Sequence, residues 1–431
     1  MCKLGQKTVG LTRIIRMHKR QLLDFYPPLL NPILVRLGQQ IVSLVAHWYY
    51  RFDLVVSQED LDCLRSLQHQ RLLLLPNHPT FDDPIVIFNL SARLGIPFYY
   101  LSARETFRQS GKIAVWLASR NIFQDRGYWL QRLGVYSIRR GIVDRASFAQ
   151  TLQILTQPDC KLVIFAEGGC SFQNDTVMPF RAGAIQMAFQ AMNKVLKLEK
   201  SLPDLYAVPI SLKYRYTQDM TSAIAHSLQQ LETVLQIQPE GDFYQRLRVV
   251  AVQFLLKCEQ EYGLLQPEIT DANQRVANLK QHVLQQCEQI LGITSAPGEL
   301  ERERTYRIQQ ALDERIDYTT SEPIWTREVM VKAAWRVLNF DAIYDGYVAA
   351  TQTPERFLDS LIRLERDVFN IDKPRPKGDR LALLYVGEPI NLKDWFTDYQ
   401  QNRAGTVNTV VQTIHRQVQQ NLDLLNHSQK I

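Results

Sequence analysis

The chain has 431 residues, a hydrophobic content of 45% and a formal net charge of +6 at pH 7. Its length predicts two structural units, and its hydrophobic content is ordinary for a globular protein. The six cysteines form no CxxC pair and no His-Cys cluster at metal spacing. We therefore expect a reducing compartment, no disulfide framework and no metal site.

The first twenty residues carry six basic side chains and no acidic one. The basic residues are Lys3, Lys7, Arg13, Arg16, Lys19 and Arg20. Basic residues near anionic lipid head groups gain about 1 kcal/mol each. We therefore interpret residues 1–70 as a membrane-association segment, with a transit peptide as an alternative for the basic start.

Residues 29–46 are rich in Leu, Ile and Val, but Arg36, Gln39 and Gln40 interrupt them. The run is well short of the roughly 20 apolar residues that a spanning helix needs. It predicts an interfacial helix, with Trp48 near the head groups. An amphipathic helix packed on the protein's own core is the alternative.

The short apolar run of residues 71–75 is typical of a buried parallel strand, and His78 lies just past its end. Asp83 and Pro84 then open an apolar run, with an acid at the N-cap and proline at the first helical position. Because ligand sites of open α/β sheets lie at the carboxyl ends of strands, this turn is a candidate site.

His78 and Asp83 suit general-base chemistry. A hydroxyl is a poor nucleophile at neutral pH, so acyl transfer to an alcohol needs a base such as an imidazole within hydrogen-bond reach. A carboxylate at the start of the next helix can hold the other ring nitrogen. The alternative is that Asp83 only caps the helix and His78 is an ordinary turn residue.

Arg139 and Arg140 follow a predicted strand over residues 134–138. Guanidinium groups match phosphate geometry with paired donors, so arginines at a strand end suit a phosphorylated acceptor. A solvated surface pair is the alternative.

Glu167, Gly168 and Gly169 follow a stronger strand pattern over residues 161–165. Two glycines let the backbone turn sharply, and their N–H groups can face developing negative charge. A plain turn after the strand explains the same pattern.

A fourth apolar run, residues 205–212, contains Val208-Pro209-Ile210. The order and spacing of the four segments resemble those of the glycerolipid acyltransferase superfamily, which includes 1-acylglycerol-3-phosphate and glycerol-3-phosphate acyltransferases. The matching residues are His78 and Asp83 in the first motif, Gly134 and Arg140 in the second, Phe165, Glu167, Gly168 and Ser171 in the third, and Val208, Pro209 and Ile210 in the fourth. Residues 383–390 resemble the family's late strand.

The third motif departs from the family at Ala166, Gly169 and Cys170, where proline, threonine and arginine are usual. In much of the family that arginine helps to bind the acceptor's phosphate. Cysteine at this position is similar to the lysophospholipid acyltransferase branch. The departure therefore bears on the identity of the acceptor more than on the acyl-transfer reaction.

The resemblance implies transfer of a fatty acyl group from a thioester, acyl-CoA or acyl carrier protein, to a glycerolipid hydroxyl. It implies His78 and Asp83 as catalytic residues and Arg139, Arg140, Glu167, Gly168 and Gly169 as substrate-binding residues. The expected acceptor is 1-acylglycerol 3-phosphate; glycerol 3-phosphate and lysophospholipids are alternatives. A non-catalytic lipid-binding protein and a hydrolase are the other classes.

These inferences predict an α/β fold with a mostly parallel sheet flanked by helices. The expected units are residues 1–70 for membrane association, 71–216 with 381–392 for catalysis, 217–380 as a helical insertion, and 393–431 as a C-terminal helix. In the insertion, residues 228–235 predict a helix, and residues 249–256 a helix or a buried strand. We expect membrane lipids as partners at the cytoplasmic face, no cofactor beyond the thioester co-substrate, and no nucleic acid.

Overall fold

The computed structural model describes residues 24–107, 126–264, 268–315, 324–340 and 345–427. The basic residues of the first twenty positions lie outside this part of the chain. Their expected contact with lipid head groups therefore stays a prediction.

An eight-stranded sheet forms the centre of the fold. Its strands are β1 (Phe52–Val56), β2 (Arg71–Pro76), β3 (Tyr99–Ala103), β4 (Val135–Ile138), β5 (Lys161–Val163), β6 (Leu205–Tyr216), β7 (Arg380–Val386) and β8 (Ile390–Asn391). The order is β1-β7-β6-β2-β5-β3-β4, and β8 pairs with β6. The β6–β7 and β6–β8 pairs are antiparallel, and the other neighbours are parallel. The predicted α/β fold with a mostly parallel sheet is confirmed.

Helices flank this sheet. One group precedes or follows the long connection between β6 and β7 in the chain, and the other group lies within it. Outside that connection they are α1 (Pro32–Trp48), α2 (Gln58–Ser66), α3 (Asp83–Leu94), α4 (Arg126–Arg132), α5 (Arg145–Thr156), α6 (Gly183–Glu199), α14 (Phe396–Gln401) and α15 (Arg403–His427). A 3₁₀ turn covers Arg104–Phe107. The C-terminal helix expected from the apolar spacing is confirmed as α15.

The connection between β6 and β7 contains helices and, among its described residues, no strand. The helices are α7 (Thr221–Leu235), α8 (Phe243–Glu261), α9 (Ala272–Leu291), α10 (Glu301–Glu314), α11 (Arg327–Phe340), α12 (Tyr347–Ala350) and α13 (Pro354–Val368). They share a buried apolar cluster that includes Leu228, Val250 and Leu361. Residues 249–256 are therefore helical, while the division into domains stays a prediction.

Strand β2 positions the first motif. Leu73 and Leu75 join the apolar core on one face of the sheet, and Leu72 and Leu74 join the core on the other. Strand β2 lies between β5 and β6, and an apolar core covers each of its faces, which explains the continuous apolar run. The predicted strand is confirmed, and it delivers His78 to the carboxyl edge of the sheet.

Two expected strands have different bounds. The late strand predicted over residues 383–390 is divided into β7 and β8, and the N–H of Gly387 between them donates to the Pro209 carbonyl at 2.8 Å. Strand β5 ends at Val163, two residues earlier than the apolar pattern indicated. Neither difference moves a motif away from the carboxyl edge.

Helix α1 has two apolar faces. Val35, Val42 and Ala46 are buried, and the helix packs against α3. The opposite face exposes apolar side chains at intervals of three to four residues. They are Ile33, Leu37, Ile41, Leu44 and Trp48. The alternative of packing on the protein's own core is thus correct for one face only.

Among the described residues, no helix combines the length and the hydropathy needed to cross a membrane.

Candidate active site

His78 and Asp83 form a close pair at the carboxyl end of β2. The Nδ1 atom of His78 lies 2.6 Å from Oδ2 of Asp83. Asp83 is fully buried, and the His78 side chain is 15% exposed. A buried carboxylate beside Nδ1 favours the tautomer that carries the proton on this nitrogen. The pair therefore holds the imidazole in a fixed orientation.

The Asp83 side chain does not cap helix α3, so the expectation of an N-cap at this residue is wrong. The N-cap is Asp82, which makes no side-chain cap. Asp83 instead accepts the backbone N–H and the hydroxyl of Thr80, both at 2.9 Å, and the hydroxyl of Tyr214 at 2.8 Å. With the His78 contact, these donors fix both carboxyl oxygens.

The Nε2 atom of His78 has no hydrogen-bond partner within the described part of the chain. The imidazole ring lies against Phe165, with ring centroids 4.4 Å apart. Because Asp83 holds Nδ1–H, the lone pair of the ring is on Nε2. This nitrogen can take a proton from a bound hydroxyl.

Three groups fix the backbone of the His78 turn. The Asn77 side chain donates to the Leu212 carbonyl at 3.0 Å and accepts the Leu212 N–H at 2.7 Å. The N–H of Ser171 donates to the His78 carbonyl at 2.8 Å. Oε1 of Glu167 accepts the His78 N–H at 2.9 Å. Strand β6 and the third motif thus hold the turn from both sides.

Glu167 is 2% exposed, and burial raises the pKa of its carboxyl to about 8. Its Oε2 atom has no partner among the described residues. The structure thus places Glu167 against the backbone of His78. Its predicted contact with substrate stays a prediction.

The glycine turn faces helix α10 of the β6–β7 connection. The Gly168 carbonyl accepts from the Tyr306 hydroxyl at 3.0 Å, and the Gly169 carbonyl accepts from Arg302 Nη1 at 3.2 Å. Gly168, at φ +74°, donates its own N–H to the Phe165 carbonyl at 3.0 Å. The Gly168 N–H is thus used within the turn, and the role of the two glycines in binding substrate stays a prediction.

Both motif arginines contact acidic residues of the protein. Nη2 of Arg140 lies 3.4 Å from Oε2 of Glu105, and its guanidinium lies 4.1 Å from the centroid of the Tyr306 ring. The backbone N–H of Arg139 donates to Asp144 at 2.8 Å. The role of Arg139 and Arg140 as phosphate ligands stays a prediction.

Sequence reasoning missed Tyr214, Arg302 and Tyr306. A sequence pattern was available for Tyr214, because Val208, Ile210, Leu212 and Tyr214 alternate along β6 and share one apolar core. The same alternation that predicts the strand brings Tyr214 to the face of Asp83. No pattern in the β6–β7 connection indicated Arg302 or Tyr306.

Residues 58–213 match the model of a protein family described as Acyltransferase. We call this part of the chain, which is similar to that family, the acyltransferase-family domain. The resemblance to the glycerolipid acyltransferase superfamily is confirmed, and it supports a glycerolipid acyltransferase activity in general. The matched domain contains His78, Asp83 and Glu167, whereas Tyr214 lies one residue beyond it. No curated protein matches the chain significantly.

Among the described residues, no group of His, Cys, Asp or Glu side chains is arranged to hold a metal ion. Cys170 lies within the acyltransferase-family domain, and burial raises the pKa of its thiol well above the ordinary value. A raised pKa keeps the thiol protonated and disfavours a nucleophilic role for Cys170.

Proposed function

We propose that the protein transfers a fatty acyl group from a thioester donor to the free hydroxyl of 1-acylglycerol 3-phosphate, in phospholipid biosynthesis. The donor is acyl-CoA or acyl-acyl carrier protein. One observation supports this proposal most strongly: Asp83 holds Nδ1 of His78 at 2.6 Å, and Nε2 has no partner within the described residues. That arrangement is the one a general base for a hydroxyl needs.

The transfer proceeds without a covalent enzyme intermediate. Nε2 of His78 takes the proton of the acceptor hydroxyl while the hydroxyl oxygen attacks the thioester carbonyl carbon. This attack forms the new C–O bond. The C–S bond then breaks, and the leaving thiolate takes the proton from His78. Asp83 stabilises the imidazolium between these two proton transfers without becoming protonated.

Attachment at a membrane surface would bring this site to its lipid acceptor. The exposed face of α1 presents Leu37, Ile41 and Trp48, while its other face packs on the acyltransferase-family domain. Large exposed apolar patches are typical of sites that contact a membrane or another protein. We propose that this face enters the lipid interface, with the protein bound peripherally at the cytoplasmic side.

The test offers the purified protein labelled acyl-CoA and acyl-acyl carrier protein with three acceptors in parallel: glycerol 3-phosphate, 1-acylglycerol 3-phosphate and lysophospholipids. Products are identified by mass. The proposal expects diacylglycerol 3-phosphate as the main product. Another acylated glycerolipid would correct the acceptor, and free fatty acid without an acceptor would indicate a hydrolase. Lipid binding without turnover of any thioester would contradict catalysis.

A further inference from the structure

Two basic side chains from outside the acyltransferase-family domain lie over the loop that carries His78. The guanidinium carbon of Arg366, on α13, is 5.3 Å from the centroid of the Phe81 ring. Nζ of Lys373, in the loop after α13, is 5.2 Å from the same centroid. Because Phe81 lies between His78 and Asp83 in the chain, these cations contact the loop that carries the proposed base.

The cations lie against an aromatic pair, Phe81 and Phe172. The two rings meet edge to face with centroids 5.0 Å apart, and Arg366 lies 4.5 Å from the Phe172 centroid. Phe172 has φ +52°, a left-handed conformation that costs a non-glycine residue roughly 1 kcal/mol. Such strain is found disproportionately at functional sites. The Phe172 ring contacts Phe81 of the His78 loop.

Neither cation forms an ion pair with a carboxylate among the described residues. Arg366 donates to the Asn339 side chain at 2.9 Å and to the Asp372 carbonyl at 3.2 Å. Lys373 has no hydrogen bond in this part of the chain, and the residue as a whole is exposed although its Nζ lies close to the Phe81 ring. Nη2 of Arg366 and Nζ of Lys373 therefore have no hydrogen-bond partner among the described residues.

The environment of these groups disfavours their positive charge. Burial lowers the pKa of Arg366, and burial followed by the nearby charge of Arg126 lowers the pKa of Lys373. A partly desolvated cation is stabilised when an anion binds beside it.

We propose that Arg366 and Lys373 form a subsite for a phosphate group of a substrate. A planar guanidinium and a mobile ammonium together supply several donors to one phosphate. The phosphate belongs to the acyl acceptor or to the coenzyme A of the donor. This proposal rests on the proposed acyl transfer. It adds residues of the β6–β7 connection to those that bind the substrates.

The test compares Lys373→Met and Arg366→Gln with Arg375→Met, which removes an exposed arginine two residues from Lys373. Each variant is assayed with two acceptors, 1-acylglycerol 3-phosphate (lysophosphatidate) and monoacylglycerol, and with two donors, acyl-CoA and acyl-pantetheine. Loss of a charge-assisted hydrogen bond predicts a KM about tenfold higher for a substrate that carries the phosphate. The KM for the matching substrate without the phosphate should stay unchanged. The Arg375→Met variant should keep the original KM for all four substrates.

The four assays identify the source of the phosphate. A higher KM for lysophosphatidate but not for monoacylglycerol assigns the subsite to the acceptor, and a higher KM for acyl-CoA but not for acyl-pantetheine assigns it to the donor. Equal effects on all four substrates, or no effect of Lys373→Met on any, would overturn the proposal. Since Lys373 is exposed, its variant tests the idea even where Arg366→Gln fails to fold.

Binding separates this inference from the proposed reaction. Calorimetric titration of the unmodified protein with glycerol 3-phosphate and with coenzyme A needs no turnover, and glycerol and pantetheine serve as controls. We expect at least one phosphate-bearing ligand to bind, and about tenfold more weakly to Lys373→Met. Equal binding to both proteins, or binding of neither ligand, rejects the subsite even if acyl transfer is observed.

Discussion

Oε1 of Glu167 accepts the backbone N–H of His78 at 2.9 Å, so a residue predicted to contact substrate contacts the proposed base. The carboxyl is buried, and its pKa rises to about 8 because the charged form is poorly solvated there. At neutral pH, Glu167 therefore contributes a largely uncharged carboxyl that positions the His78 turn.

Replacement of Glu167 by Gln should change how stability depends on pH. Between the ordinary carboxyl value and about 8, the folded state retains a proton that the unfolded state has lost. The free energy of unfolding therefore falls as pH rises through this window, by on the order of a few kcal/mol for this group. Urea unfolding at pH 5, 6, 7 and 8 should show a smaller fall in Glu167→Gln.

The matched control is Glu388→Gln, because Glu388 is exposed. It should retain the pH slope of the unmodified protein. If Glu167→Gln and the unmodified protein lose stability equally across the four pH values, the buried-carboxyl account is wrong.

Tyr214→Phe should slow acyl transfer without unfolding the protein. It removes the hydroxyl that donates to Oδ1 of Asp83 at 2.8 Å and leaves the other donors in place. A hydrogen bond to a charged group is worth about 1.5–3 kcal/mol, so we expect kcat to fall roughly tenfold or more. Tyr385→Phe, at an exposed position of β7, is the control and should retain full kcat.

Gly141→Ala should destabilise the contact between α10 and the second motif. A Cβ atom at Gly141 would overlap the backbone of Tyr306 and Arg307, and the φ of +78° adds strain. Overpacking and strain together predict a free energy of unfolding about 2–4 kcal/mol lower.

The Gly298→Ala variant measures the cost of backbone strain without a steric overlap. Gly298 has φ +74°, but no atom lies within 4 Å of an added Cβ. Its replacement should cost only about 1 kcal/mol of unfolding free energy. Equal losses in the two alanine variants, measured by urea unfolding, would show that the α10 contact contributes nothing.

The exposed face of α1 should bind lipid vesicles. The double variant Leu37→Gln/Ile41→Gln removes apolar groups from this face, and their transfer free energy predicts a partition coefficient at least about tenfold lower. Sedimentation with phosphatidylcholine–phosphatidylglycerol vesicles measures it. Leu198→Gln/Leu424→Gln, at exposed apolar positions of α6 and α15, is the control. Equal partitioning of both double variants would refute a membrane role for α1.

The sequence predicted the His78–Asp83 contact because its determinants are local. A buried strand, a short turn and a helix start place side chains five positions apart within reach of each other, whatever the rest of the chain does. The same local patterning predicted β2, β4, α7 and α15, whereas it left residues 249–256 of α8 open between a helix and a buried strand. It erred on the role of Asp83 in α3, because spacing alone cannot distinguish a cap from a buried hydrogen-bond acceptor.

The contacts that the sequence did not predict connect distant parts of the chain. Tyr214 reaches Asp83 only because β6 lies beside β2 in parallel register, and that register is a property of the whole sheet. Arg302 and Tyr306 reach the glycine turn through the packing of α10, which no motif specifies. Such contacts between distant parts of the chain are found from the structure alone.

The most direct test of the proposed chemistry is the acyl-transfer rate of His78→Ala. It is measured with a labelled acyl thioester and 1-acylglycerol 3-phosphate at saturating concentrations. Asp83→Asn serves as a second variant, and Arg375→Met as the control. Without the base, kcat should fall about 100-fold or more while the control keeps its rate. A His78→Ala enzyme that transfers the acyl group at close to the original rate would contradict the assignment of His78 as the general base.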